Sequence, residues 1–186
     1  MSAYEKKKQP DKVRRDLLDA AARVCAERGP GGLTLQAVAE AAGVTKGGLL
    51  HHFQSKQELI AALFVDLLDA LDADIDARMA RDPVAYGSFT RAYVDAMMLP
   101  AARPSTDPCG PISVSIFNTP DVHARWNEWL DARLLRHADT DSDVALQAAR
   151  LAADGVWLAD LIETVTPNRS ELHALLLDLT RKPGRP

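Results

Sequence analysis

Between Pro10 and Gly29 the apolar residues Val13, Leu17, Ala21, Val24 and Cys25 recur three or four positions apart, the spacing of a helix with one buried face. Gly29-Pro30-Gly31-Gly32 ends it. Thr34 is placed to cap a second helix over about 35–42, with Leu33 before the cap packing on Val38 as a hydrophobic staple. Gly43 suits a left-handed helix end. Val44-Thr45 then repeats the start signal, with Val44 facing Leu49, for a short third helix that closes near Phe53. Ser55-Lys56-Gln57-Glu58 reads as a capping box, and Leu59, Leu63, Leu67, Leu71 and Ile75 stripe the long helix that it opens.

Asp82-Pro83 predicts a further helix start, with Tyr86, Phe89, Tyr93 and Met97 on one face. Four prolines from Pro100 to Pro111 break all periodicity and predict a loop. Thr119-Pro120 opens a helix whose buried side carries Val122, Trp126, Trp129, Leu130 and Leu134. Residues 141–165 are apolar around much of a helical circumference, the pattern of a central or paired helix. A last helix follows Thr166-Pro167, and Lys182 to Pro186 reads as a frayed tail. No strand pattern or repeat interrupts this all-α reading.

Charge sharpens the picture. The whole chain carries a net -4, but residues 1–60 hold ten Lys or Arg against seven Asp or Glu, so the acidity lies in the remainder. The basic end is the candidate for phosphate contact. Two cysteines, Cys25 and Cys109, are too few for a disulfide framework, and no 18-residue run lacks a charge. A soluble protein of the reducing cytoplasm, with no membrane partner and no cofactor, is expected.

Two short helices joined by a Gly-containing turn form a helix-turn-helix, whose latter helix enters the DNA major groove. The run Thr34-Leu35-Gln36-Ala37-Val38-Ala39-Glu40-Ala41-Ala42-Gly43-Val44-Thr45-Lys46-Gly47-Gly48-Leu49-Leu50-His51-His52-Phe53, with Ser55-Lys56 and Glu58-Leu59 after it, resembles the tetracycline-repressor (TetR) family motif over residues 13–64. The resemblance implies an N-terminal three-helix DNA-binding domain, residues 1–55, and a helical-bundle ligand-binding and dimerisation domain, residues 56–186, with about nine helices in all. Leu151 to Trp157 further resembles the penultimate helix of members that answer to multidrug-type ligands.

By that resemblance Thr34, Thr45, Lys46, His51 and Lys56 align with positions that meet the DNA backbone or groove, and helix N-termini favour anions. Gly47 and Gly48 each cost the recognition helix about 1 kcal/mol relative to Ala, which close passage of the backbone by DNA would explain, although tolerant packing is the alternative. Leu50 departs from the family's usual Tyr, so a phosphate contact is lost and His51 gains weight. His52 is expected to pack beneath Phe53. The adjacent histidines lack a third ligand at useful spacing, so no metal is expected. Lys6, Lys7, Lys8, Lys12, Arg14 and Arg15 form either a flexible arm adding salt-dependent affinity or a solvated tail.

In the acidic half, Phe89, Tyr93, Met97, Met98, Phe117, Trp126, Trp129, Trp157 and Leu161 concentrate large apolar side chains. Singly each reads as core; together with Asp154, Asp160 or Glu163 as counter-charge they predict a chamber for a small hydrophobic or aromatic effector, a lipophilic cation among them. Arg150, one turn from Asp154, is the internal rival for that carboxylate. Ala148, Ala152, Ala159, Leu172, Leu175, Leu176 and Leu179 resemble the family's four-helix dimer interface. The resemblance therefore implies a homodimer that binds palindromic double-stranded operator DNA as a repressor and lets go when an effector binds. Activation on the same fold stays open, and a helical-bundle enzyme lacks a Glu-x-x-His pair or a nucleophile-base arrangement.

Overall fold

The computed structural model describes residues 3–99, 119–162 and 164–181, with side chains from Pro10 onward apart from Pro30. Phe117, Glu163 and Cys109 lie outside the described residues. Among these residues every regular element is helical: α1 (Ala3–Gly32), α2 (Leu35–Ala41), α3 (Lys46–Leu50), α4 (Lys56–Met79), α5 (Ser88–Met98), α6 (Pro120–Arg136), α7 (Ala138–Asp141), α8 (Val144–Leu161) and α9 (Arg169–Leu179). They form two compact units. One is built from the chain as far as Leu67 with the start of α6 to Arg125, and the other begins at Leu68 and again at Trp126.

Local capping chemistry sets the early boundaries. Thr34 and Thr45 are extended N-caps whose hydroxyl oxygens accept from Ala37 N at 3.1 Å and Gly48 N at 3.0 Å. Gly43 turns the chain between them with a φ of 68°, a left-handed conformation that Gly adopts without a Cβ clash. Leu33, Val38, Leu49 and Phe53 are buried beneath this turn, with α1 packed on α2 and α2 on α3. Arg14 lies over the Phe53 ring, 4.4 Å from its centroid, and Arg15 bridges Asp19 of α1 and Asp66 of α4.

Several boundaries differ from the expectation. α1 begins at Ala3, ahead of Pro10, so Lys6 to Lys8 sit on helical backbone and not in a flexible arm; Glu, Lys and Gln are good helix formers. At the start of α4, Ser55 Oγ accepts from Glu58 N at 3.0 Å, but Glu58 reaches back one residue further than a capping box does, to Gln54 N at 2.7 Å. Asp82-Pro83 opens no helix. Asp82 instead accepts from Val84 N at 2.9 Å and from Arg91 Nε at 2.7 Å, while Arg91 also donates to the carbonyls of Val84, Tyr86 and Thr180. That guanidinium holds an irregular loop, and α5 starts only after Gly87, whose φ is 72° and where a Cβ would stand 2.6 Å from Thr180 O.

The helix expected over 141–165 is shorter because Asp141 belongs to α7. Its buried carboxylate accepts from Thr90 N at 2.8 Å, Thr90 Oγ1 at 2.6 Å and Thr140 Oγ1 at 2.8 Å. In this second unit α5, α8 and α9 pack on one another around Ile75, Phe89, Tyr93, Val94, Met98, Ala149, Ala153, Val156 and Leu176. α8 is apolar on two sides, as expected. Ala149, Ala153 and Val156 face this core, whereas Val144, Leu151 and Leu158, with Ile162 just after the helix, remain exposed.

Candidate functional site

The first unit offers a polar, exposed helix start. Thr34, Thr45, Lys46, Gly47 and His51 are exposed, Gly48 and Lys56 are half-buried, and Leu49 with Phe53 anchors the segment from below. Gly47 is not forced by packing, since a Cβ there would meet nothing nearer than Thr45 Oγ1 at 3.9 Å, whereas on Gly48 a Cβ would crowd that same cap oxygen at 3.3 Å. Leu50 is an exposed apolar group on this surface, and His52 is half-buried. Each Thr hydroxyl uses its oxygen as a cap acceptor, which leaves its hydrogen to be donated outward. Burial pushes the Cys25 thiol up, partly offset by the charge of Lys56.

The second unit brings together most of the residues expected to form a chamber. Trp126 and Trp129 lie 5.1 Å apart between ring centroids, Trp129 stacks on Tyr93 at 6.5 Å, and Tyr93 meets Phe89 at 5.9 Å. Met97 is in the same core, with Trp157 packed against it. Tyr93 donates its hydroxyl to Asp154 at 2.5 Å. Burial raises the Asp154 carboxyl, against the opposing Tyr93 hydrogen bond and the charge of Arg150; burial first, then Asp154, holds the Tyr93 phenol well above its usual range.

Arg150 makes no hydrogen bond to Asp154. It donates to Thr90 Oγ1 at 2.5 Å and to Asp141 O at 3.2 Å, so the internal rival is engaged elsewhere. Asp160, expected as a counter-charge, is exposed and takes two hydrogen bonds from Arg169, at 2.6 and 2.8 Å, so its charge is already paired within the chain. Leu161 is half-buried outside the core cluster. Two hollows of about 570 and 300 Å³ are lined by Arg91 with Tyr86 and Val84, and by Arg91 with Arg78 and Asp95, not by the rings. Among the described residues no group of three or more His, Cys, Asp or Glu is arranged to hold a metal ion.

No periodicity marked the polar group beside Trp129. Arg133, only 2% exposed, donates to Asp72 Oδ1 at 2.6 Å from Nε and to Asp76 Oδ1 at 2.6 Å from a terminal nitrogen. Trp129 Nε1 donates to the same Asp72 oxygen at 2.5 Å. The available signal was spacing: Asp72 and Asp76 stand one turn apart on α4, and Trp129 and Arg133 one turn apart on α6.

Of the residues expected at a dimer interface, Ala148, Leu175 and Leu179 are exposed and Ala152, Ala159 and Leu172 half-buried. Leu176 is a correction, being buried in the core of its own chain. Leu151 at 62%, Leu158 at 40% and Ile162 at 65% exposure extend the apolar face instead. Among the described residues no helix is long and apolar enough to cross a membrane.

Residues 17–63 match the family described as bacterial regulatory proteins, tetR family, and residues 87–182 match the tetracyclin repressor-like C-terminal domain. The chain is similar to the HTH-type transcriptional repressor KstR2 of Rhodococcus jostii, 38% identical over 85 residues that cover 46% of this chain and 39% of that repressor. The chain thus spans about two fifths of that relative's length. It is 25% identical over 181 residues to the HTH-type transcriptional repressor AcnR of Corynebacterium efficiens, covering 92% of each. In fold it is similar to the multidrug binding protein EbrR complexed with imidazole, at a TM-score of 0.71 and 20% identity over 94% of this chain and 93% of that one. With its helix-turn-helix and most of its second unit matched in turn, the chain belongs to the TetR family of bacterial regulatory proteins.

Proposed function

We propose that the protein is a non-enzymatic, cytoplasmic transcriptional repressor that binds a palindromic operator as a homodimer and is released by a small hydrophobic or aromatic effector. The observation that carries this reading is the paired cap geometry, in which Thr34 and Thr45 each begin a helix on an exposed surface with Lys46, Gly47, Gly48 and His51 beside them. Helix N-termini, hydroxyl donors and a lysine suit phosphate, and the short helix from Lys46 suits the major groove. Residues 1–55 serve as the DNA-binding domain and residues 56–186 bind the effector and the second subunit.

The effector reading rests on the rings of Trp126, Trp129, Tyr93 and Phe89 with Asp154 among them. A desolvated carboxyl bonded to Tyr93, whose ring stacks on the Trp129 indole, favours an aromatic cation. The fold neighbour EbrR, also solved with ethidium and malachite green, supports that class. The dimer reading rests on the bare apolar face of α8 and α9, Leu151, Leu158, Leu175 and Leu179, with Ile162 just after α8, which is larger than isolated surface apolar residues require. Two recognition helices roughly 34 Å apart would then meet successive major grooves.

Selection of bound DNA from a random pool tests the core of the proposal. An inverted repeat should emerge at moderate ionic strength, and ethidium or malachite green should quench tryptophan fluorescence and weaken binding. Purified protein with no preference for any inverted repeat would sink it.

A further inference from the structure

Trp129 faces two sets of partners. Its ring stacks on Tyr93 and meets Trp126 at a tilt, inside the cluster read above as the effector chamber, while its indole N–H is bonded to Asp72 of α4. An indole has one donor and no acceptor, so a change of ring orientation cannot keep that bond and satisfy another. Among the described residues no other ring of the cluster has a hydrogen bond to α4: Tyr93 is tied to Asp154 of α8. Arg133 holds the same Asp72 oxygen and also Asp76, so loss of the indole bond loosens α4 locally without stripping the carboxylate of its cation. α4 is one continuous helix from Lys56 to Met79.

We propose that Trp129 is the positioning residue that reports effector occupancy to α4: an aromatic ligand that restacks its ring withdraws the indole N–H from Asp72, and the operator-competent placement of α4 is lost. This rests on the repressor reading, and it adds which residue couples the two ends. A ligand shifts an equilibrium only by what it binds differently in the two states, and this hydrogen bond is such a difference.

Asp72→Ala removes the acceptor while leaving every ring in place, Asp72→Asn keeps an oxygen for the indole, and Trp129→Phe removes the donor. The selected inverted repeat and ethidium are the probes. Without ethidium, Asp72→Ala and Trp129→Phe should each bind the operator at least fivefold more weakly than wild type, and ethidium should weaken them less than twofold further. Asp72→Asn should retain the wild-type response. The chain has three tryptophans, so three indole N–H signals are expected by NMR, and the one missing in Trp129→Phe identifies its residue. That signal should move in Asp72→Ala and on ethidium binding to wild type.

Operator affinity and ethidium response equal to wild type in Trp129→Phe would overturn the coupling, as would release of wild type by ethidium with the Trp129 signal unmoved. If Asp72→Ala does not fold, Trp129→Phe decides alone. If ethidium does not bind, wild-type operator affinity in Trp129→Phe overturns it. Failure of wild type to bind an inverted repeat is a separate result, because it sinks the repressor reading itself.

Discussion

Tyr93 donates its phenolic hydrogen to Asp154 across 2.5 Å, joining α5 to α8 inside the second unit. The bond does not fully offset the loss of water around the carboxyl, since burial, the largest cause, leaves Asp154 raised despite Tyr93 and Arg150. The interior thus contains a carboxyl that ionises reluctantly and would ionise more readily beside a cation.

The sign of its pH dependence follows. A carboxyl whose folded pKa lies above the unfolded value of about 3.9 contributes stability that is fully present below that value and is lost as pH rises through the raised one. Wild type should therefore gain stability over Asp154→Asn on going from about pH 7 to about pH 3. Urea titrations of both proteins check this, and a pH-independent difference contradicts it. A cationic ligand favours the ionised form, so ethidium affinity should rise with pH over the same window with release of a proton.

Thr45→Ala deletes the cap on the recognition helix. The loss should be about 1 kcal/mol of unfolding free energy, with a larger proportional loss of operator affinity because the same hydroxyl sits at the proposed phosphate surface. Thr45→Ser should recover both. Stability measured by denaturation and affinity measured by gel shift separate the two effects; recovery of neither by Ser would argue that the methyl group is what counts.

These caps were legible because each is decided within a few residues. Leu33-Thr34 and Val44-Thr45 need only local geometry, and the structure has both Thr residues as N-caps. Asp82-Pro83 carried the same kind of local signal and failed, because Arg91 holds the loop through carbonyls that a helix would otherwise have used. Leu175, Leu176 and Leu179 share one periodic pattern, but periodicity does not say which neighbour covers which side; only Leu176 faces the core. The Arg133 cluster joins α4 to α6 across a long sequence separation, and such pairs leave no periodic trace.

That division of the leucines makes opposite predictions. Leu176→Ala should cost about 2–5 kcal/mol as a cavity in a packed core, whatever the oligomeric state. Leu151→Glu or Leu158→Glu, at exposed positions on α8, should leave the folded monomer intact and abolish the dimer, with operator affinity falling alongside. Sedimentation equilibrium reads the dimer and denaturation reads the core. A Leu151→Glu protein that remains dimeric removes the α8 face from the interface.

Arg133 tests how a buried cation is supported. Its guanidinium cannot give up its proton, and it is 2% exposed, whereas the side chains of Asp72 and Asp76 are 36% and 56% exposed. Water can therefore help either carboxylate but not the cation. Asp72→Asn or Asp76→Asn alone leaves one counter-charge and should cost on the order of 1 kcal/mol. The double variant leaves the cation unpaired and should cost about 3–5 kcal/mol, more than the two single losses together. Arg133→Met should cost less than that, because it replaces the cation by an apolar side chain of similar reach and leaves two half-solvated carboxylates. The Arg133 hydrogen bond, acting first, holds the Asp76 carboxyl below its usual value, so its share of stability is present above the unfolded carboxyl range and is lost as pH falls through the lowered value. Urea denaturation of the four variants at neutral and acid pH reads all of this; strictly additive losses would mean that the carboxylates act independently and that solvent, not Asp72 and Asp76, supports the cation.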